Sequence, residues 1–282
     1  MHKQFRLPLL LALLVMISGC SLRLTYGFLD WWLLWQVEDY VTLDSGQQQQ
    51  LEQALQQFHQ WHRQHELPRY AALAEETAQI LAAPRISVAQ LQQIEDEAST
   101  LWQASVDRLL PAGIRVLASL SDEQVSELAE SLALARAEFA EEYVAPSATE
   151  RLQNRAARLV ETLEPLVGEL NDQQQQQASE AVRRLQESAS LALAHREQEH
   201  ARFLALLAGR QQPGFASALT AFVHDYELRR PQPLQQVYDH NGAIVHQLVI
   251  DLHVNLTRKQ RRHLDRYLRE HQDIFLELAR SA

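Results

Sequence analysis

One pattern recurs along this chain and limits what it can become. An apolar residue is followed by Ser, Thr, Asp or Asn, and three positions later by Gln. It occurs as Leu43-Asp44 with Gln47, Ile86-Ser87 with Gln90, Leu120-Ser121 with Gln124, Leu170-Asn171 with Gln174, and Leu256-Thr257 with Gln260. The short oxygen-bearing side chain accepts a hydrogen bond from the amide three residues on, while the Gln reaches back to the cap's own N–H. Together they satisfy donors that the first turn of a helix leaves without partners. Each occurrence therefore predicts a helix start. Eight and twelve residues after the leading apolar residue come Leu51 and Leu55, Ile94 and Ala98, Leu128 and Leu132, Ala178 and Val182, and Leu264 and Leu268. That is an apolar stripe in a shared register, drifting slowly around each helix.

The rest of the chain agrees with helix. Eight glycines and nine prolines are few for 282 residues, and no segment shows the strict alternation of a half-buried strand. The nearest, residues 243–250, carries its apolar side chains at helical spacing. Pro68, Pro84, Pro111, Pro146, Pro213 and Pro231 predict helix stops, and Pro165 predicts a kink or division in the run 147–169. The longest unbroken pattern, 171–208, reads as one helix of roughly 57 Å. The expected fold is all-α, an elongated multi-helix bundle or curved cradle. The boxes are too irregularly spaced for a solenoid repeat.

Residues 1–19 have the three parts of an export signal: Lys3 and Arg6, an apolar run from Leu7 to Ile17, and the small residues Ser18 and Gly19. The apolar run is too short to cross a bilayer as a helix. Ile17-Ser18-Gly19-Cys20 resembles the lipobox of bacterial lipoproteins, which implies cleavage between Gly19 and Cys20 and acylation of Cys20. Ser21 after the cysteine, by analogy with enteric lipoproteins, points to the outer membrane, facing the periplasm. The division expected is a cleaved signal at 1–19, the lipidated cysteine and a short tether at 20–25, and one helical periplasmic domain at 26–282. Cys20 is the only cysteine, which leaves no disulfide and no thiol chemistry. A formal charge of −10 makes nucleic acid a poor partner.

Three of the five tryptophans, Trp31, Trp32 and Trp35, fall directly after this segment, in a predicted helix apolar nearly all round. Such helices are normally buried, and burial in the domain core is the expectation. An interfacial helix with its Trp rings among lipid headgroups, or a partner-binding face, are the alternatives, which makes these three the candidate membrane or partner contacts.

The run from Tyr26 to Leu43 resembles the start of a family of uncharacterised Gram-negative lipoproteins, a domain of unknown function. So do Trp61-His62-Arg63 with Glu66-Leu67-Pro68-Arg69-Tyr70, and Tyr143-Val144-Ala145-Pro146-Ser147 followed by Arg151, Arg155 and Arg158. This resemblance implies a location and a fold but no activity. More distantly, Leu256-Thr257-x-x-Gln260 and Leu120-Ser121-x-x-Gln124 are similar to the signature of small periplasmic chaperones of the Spy and CpxP type, which implies a helical cradle holding unfolded clients.

The remaining motifs read plainly. His59, His62 and His65 step by three along one helix and share it with Arg63 and Glu66, as a solvated polar face rather than a metal site. The glutamine tracts 47–50 and 173–177 read as polar helix faces. Arg258, Lys259, Arg261 and Arg262 form a basic cluster on a solvated face, with anionic lipid phosphate as the alternative. No phosphate loop, nucleophile elbow or His-Glu-x-x-His occurs, so the reading is non-enzymatic, with no cofactor and no metal. The function expected is binding or chaperone-like action on unfolded or envelope proteins. The alternative is a structural or assembly lipoprotein docked on a membrane protein or the membrane surface.

Overall fold

In a computed structural model of the protein, residues 26–281 and Arg23 are described. The signal segment, Gly19 and Cys20 lie outside them. The fold is all-α, and no strand occurs among the described residues. In chain order the helices are α1 (Leu29–Glu38), α2 (Ser45–Trp61), a π turn (His62–Glu66), α3 (Leu67–Ala82), α4 (Val88–Ser119), α5 (Asp122–Tyr143) and α6 (Ala148–Val167). They continue as α7 (Asp172–Arg184), α8 (Ala189–Ala208), α9 (Phe215–His224), α10 (Gln232–Val254) and α11 (Arg258–Arg280).

Capping boxes form at Asp44, Ser87, Ser121, Asn171 and Thr257, each with both reciprocal hydrogen bonds. A sixth, Ser147 with Glu150, opens α6. It escapes the recurring pattern because Pro146 stands where the apolar residue would be and Glu replaces Gln.

Prolines stop fewer helices than expected. Pro111 sits inside α4 with its ring exposed, while Ala112 and Val116 beside it are buried. Losing one backbone hydrogen bond on the solvent side is outweighed by packing on the other. Pro165 lies two residues before the end of α6, which is terminated by Gly168 at φ +82°. At Pro68 the chain does not stop. It widens into the π turn and resumes at once as α3, one of the few ways a helix accommodates a residue without an N–H.

The long run 171–208 is two helices rather than one. Leu185 turns extended at the end of α7 and packs into the core between α6, α7 and α10. Asn241 of α10 then holds the break, its Oδ1 accepting from Gln186 N at 2.8 Å and its Nδ2 donating to Gln186 O at 3.0 Å.

The stripe residues are where the apolar register puts them. Leu51, Leu55, Ile94, Ala98, Leu128, Ala178, Val182, Leu264 and Leu268 are buried, and Leu132 is half-buried. The most extensive helix pairing is α11 against α3. There Ile274, Phe275 and Leu278 close over Leu67, Tyr70, Ala71 and Leu73, together with Tyr26 from the chain's start and Ile94, Ala98 and Leu101 of α4. A second core joins Val41 and Leu120 to α5, α8 and α9 through Leu128, Leu207, Phe215 and Leu219.

Candidate binding site

The capping glutamines do more than cap. Gln47 and Gln124 face each other across the starts of α2 and α5. Gln47 Nε2 donates to Gln124 Oε1 at 3.1 Å, and Gln124 Nε2 to Gln47 Oε1 at 2.7 Å. Each amide also donates to the carbonyl two residues before the other helix's cap, Ser119 O at 3.0 Å and Thr42 O at 2.7 Å. Gln174 and Gln260 repeat the arrangement between α7 and α11. Their reciprocal bonds are 3.0 and 2.8 Å, with Asn255 O and Glu169 O as the outer acceptors at 3.2 and 2.9 Å. Two helix N-termini side by side bring like partial charges together, and the inward-facing carbonyls offset them. These contacts correct the reading of the glutamine tracts at one position in each, since Gln47 and Gln174 are buried while their neighbours are exposed or half-buried on the helix. Ser87–Gln90 and Ser147–Glu150 cap their own helices and clasp nothing among the described residues. The clasps are structural, and the candidate surfaces lie elsewhere.

The first surface is α1. Leu34, with Leu33 and Val37, packs on Leu51, Leu55 and Val116. The opposite side carries Phe28, Trp31, Trp32 and Trp35, exposed by 63, 64, 45 and 47%. Positions 28, 31, 32 and 35 share one helical face. The expectation of a helix buried in the core is thus corrected. It is apolar on both sides but covered on one, and a composition with polar residues only at Asp30, Gln36 and Glu38 could not say which.

The second surface is the junction of α2, the π turn and α3. Here the solvated-face reading of the histidines fails. His59 is buried and His62 is half-buried, with only His65 exposed. The Tyr26 hydroxyl hydrogen-bonds His62 Nδ1 at 2.8 Å, and the Tyr26 ring meets His59 edge-on at 4.8 Å. Burial depresses the His62 pKa to about 4, with His59 adding to the effect, and burial pushes the Tyr26 hydroxyl up. No group of three or more His, Cys, Asp or Glu among the described residues could hold a metal ion.

The third is a cleft of about 370 Å³ between the end of α5, α6, α8 and the start of α10. It begins with the motif singled out in the sequence, Tyr143 followed by Arg151, Arg155 and Arg158. The sixth capping box sets these arginines on α6 facing inward. Remote segments complete the wall: His195 and Arg196 from α8, Tyr226 and Arg230 from the α9–α10 loop, and Tyr238 from α10. Nothing local in the sequence joins these to the α6 arginines.

Three guanidiniums stack on rings in the cleft: Arg196 on Phe139 at 4.5 Å, Arg158 on Tyr143 at 4.8 Å and Arg230 on Tyr238 at 5.1 Å. Glu187 bridges Arg155 at 3.0 Å and Arg151 at 3.2 Å, and Glu142 meets Arg158 at 3.3 Å. His195 is only 3% exposed, and neither of its ring nitrogens has a hydrogen-bond partner. Burial holds its pKa below the ordinary histidine value. The Glu199 carboxylate opposes that shift, and Arg230, Arg229 and Arg202 reinforce it. Burial likewise raises Tyr238, and burial together with Glu142 raises Tyr143.

A smaller cavity of about 130 Å³ lies between α3, α4, α6, α10 and α11. Its lining is apolar apart from Thr77, His253 and the Glu95–His246 pair at 2.8 Å. The basic cluster at the start of α11 is mostly exposed, but Arg261 turns back to donate to His253 O at 2.7 Å.

The fold and site define an all-α multi-helix protein with an arginine- and tyrosine-lined cleft. The chain belongs to DUF6279, a family of unknown function, whose match spans residues 39–233. That match begins just after α1 and takes in the cleft as far as Arg230. No curated protein and no solved structure matches the chain.

Proposed function

We propose that the protein is an outer-membrane-anchored periplasmic lipoprotein that acts by binding rather than catalysis, seated on the bilayer through the tryptophan face of α1. The observation that supports this is the exposure of Phe28, Trp31, Trp32 and Trp35 on one side of a helix that begins nine residues after Cys20. An extended tether of that length reaches at most about 32 Å, so lipid on Cys20 keeps α1 near the surface. The three tryptophans leave roughly 350 Å² of ring surface exposed, taking about 220 Å² per ring. Contiguous apolar patches of that size rank with the largest on a typical monomer and are often functional. Burying it contributes up to about 9 kcal/mol at 25 cal/mol per Å². No helix among the described residues is long and apolar enough to cross a membrane, so the contact proposed is interfacial.

Vesicles carrying brominated lipids test this. The full chain, lipidated or as Cys20→Ala, should show tryptophan quenching by lipids brominated near the headgroup. Replacing Trp31, Trp32 and Trp35 with Ser should weaken vesicle binding of the Cys20→Ala protein at least tenfold, a loss of about 1.4 kcal/mol or more. Absence of quenching in the lipidated protein would sink the proposal.

The chaperone-like reading is the weaker alternative. The small apolar cavity is sized for a few methylene groups rather than a polypeptide segment. Suppression of aggregation of a denatured client at equimolar ratio would restore it.

A further inference from the structure

We infer that the arginine–tyrosine cleft is a binding site for a phosphorylated small molecule, its phosphate held by Arg155, Arg158 and Arg196 and a neighbouring hydroxyl held by His195.

Charge comes first. The chain as a whole carries −10, yet five arginines line this one cleft, three of which, Arg151, Arg155 and Arg158, pair with Glu187 and Glu142. Glu187 neutralises Arg151 and Arg155 jointly. Arg196 makes no ion pair among the described residues. All of these cations are arginine, and only Lys3 and Lys259 of the 26 basic residues are lysine. A guanidinium offers fixed N–H edges that match phosphate oxygens, where an ammonium is a point charge.

Orientation comes second. Aromatic stacking occupies the faces of Arg158 and Arg196 and fixes their planes, so an anion meets their N–H edges, of which Arg158 Nη1 also pairs with Glu142. A planar carboxylate uses one such fork, whereas a tetrahedral phosphate presents oxygens to several at once. The α6 and α8 arginines approach from different sides of the cleft, which favours phosphate.

His195 supplies the third observation, because its two ring nitrogens are buried and without partners. A buried polar group left unpaired is costly, and a ligand that supplies the partner relieves that cost. A neutral imidazole offers one donor and one acceptor nitrogen; a hydroxyl can pair with either of them, whereas a fully ionised anion can only accept. Space agrees. The cleft of about 370 Å³ meets a second hollow of about 280 Å³ at Arg155, Arg158 and Ser188. That is room for a sugar or glycerol phosphate rather than for a single ion. A soluble sugar phosphate and the phosphate of a lipid headgroup carry the same chemistry. The cleft's chemistry stands whether or not α1 meets a membrane.

The test is calorimetric titration of the full chain in detergent with glucose 1-phosphate, glycerol 1-phosphate, inorganic phosphate and sulfate at matched ionic strength, alongside vesicles containing phosphatidic acid. Saturable binding of either organic phosphate, about tenfold tighter than inorganic phosphate, is expected. Arg196→Gln should weaken it about tenfold, and Glu187→Gln should tighten it about threefold by unmasking Arg151 and Arg155. The second variant is decisive if the first fails to fold, since it removes only a half-exposed carboxylate. Binding to the phosphatidic acid vesicles alone, sensitive to Glu187→Gln, assigns the phosphate to a lipid. No binding by any phosphate, an equal response to sulfate, or affinity unchanged in both variants would overturn the site. Organic phosphates no tighter than inorganic phosphate would overturn the role of His195.

Discussion

The Gln174–Gln260 clasp and the Ser87–Gln90 box are written in nearly the same letters, yet they do different work. Both are an apolar residue, a short capping side chain and a Gln three residues later. Gln90 returns a bond to the N–H of Ser87 and stops there, half-exposed at the start of α4. Gln174 returns the same bond to Asn171 and then spends its amide on a second helix, fully buried against Gln260 and Asn255. A local motif becomes a tertiary joint only when a second copy arrives opposite it. The difference is one of burial, and burial sets the cost of removing each residue.

Gln174→Leu should be the most destabilising change, about 4 kcal/mol, because it takes the partner from the Asn171 N–H and the Asn255 carbonyl and strands half of the buried Gln260 amide. Equal denaturation midpoints for this variant and Gln90→Ala would erase the distinction.

Acid probes another buried partnership, that of Tyr26 and His62. The folded His62 pKa of about 4 lies below its ordinary value of 6.5, so the unfolded chain binds the extra proton first. Stability is therefore full above pH 6.5 and is lost as pH falls toward 4, by about 3 kcal/mol from this group. His59, His195 and His200 shift in the same direction. His62→Gln, which keeps an acceptor for Tyr26, should flatten the loss between pH 6.5 and 4 in urea titrations. An unchanged slope would rule out His62 as its source.

Gln47→Leu should cost about 2–3 kcal/mol, less than Gln174→Leu because its partner Gln124 reaches solvent. A double-mutant cycle on Gln47 and Gln124 should give a coupling of about 1 kcal/mol or more, whereas Gln90 with Gln174 should be additive. Gln90→Ala itself should cost no more than about 0.5–1 kcal/mol, since Ser87 continues to cap the helix.

What could be read from the sequence follows the same divide. Helix starts were legible because a cap and its Gln are three residues apart. The apolar register was legible because Leu51, Ile94 and Leu264 repeat at fixed distances from their caps. Pairing was not, because nothing near Gln47 names Gln124 rather than Gln90. Pro111 misled because local propensity ignores the buried Ala112 and Val116 beside it. The break at Leu185 is held by Asn241, more than fifty residues away. The tryptophan helix gave its apolarity but not its side. In the cleft, Arg151, Arg155 and Arg158 stood out as one spaced group, while Arg196, His195 and Arg230 came from segments that only the fold brings near.

Helix α11 pairs with α3, clasps α7, buries Tyr26 and holds Arg23 through Glu277 at 2.8 Å. It therefore stitches one of the latest parts of the chain to be made onto the earliest described. During synthesis the α2–α5 clasp can close as soon as the residues through α5 have emerged. The apolar side of α3 must wait, uncovered, for α11. Folding on this scheme finishes where it began, at the residues nearest the predicted anchor. A chain cut before α11 would leave a bare apolar seam along α3, open to proteolysis, rather than a smaller working protein.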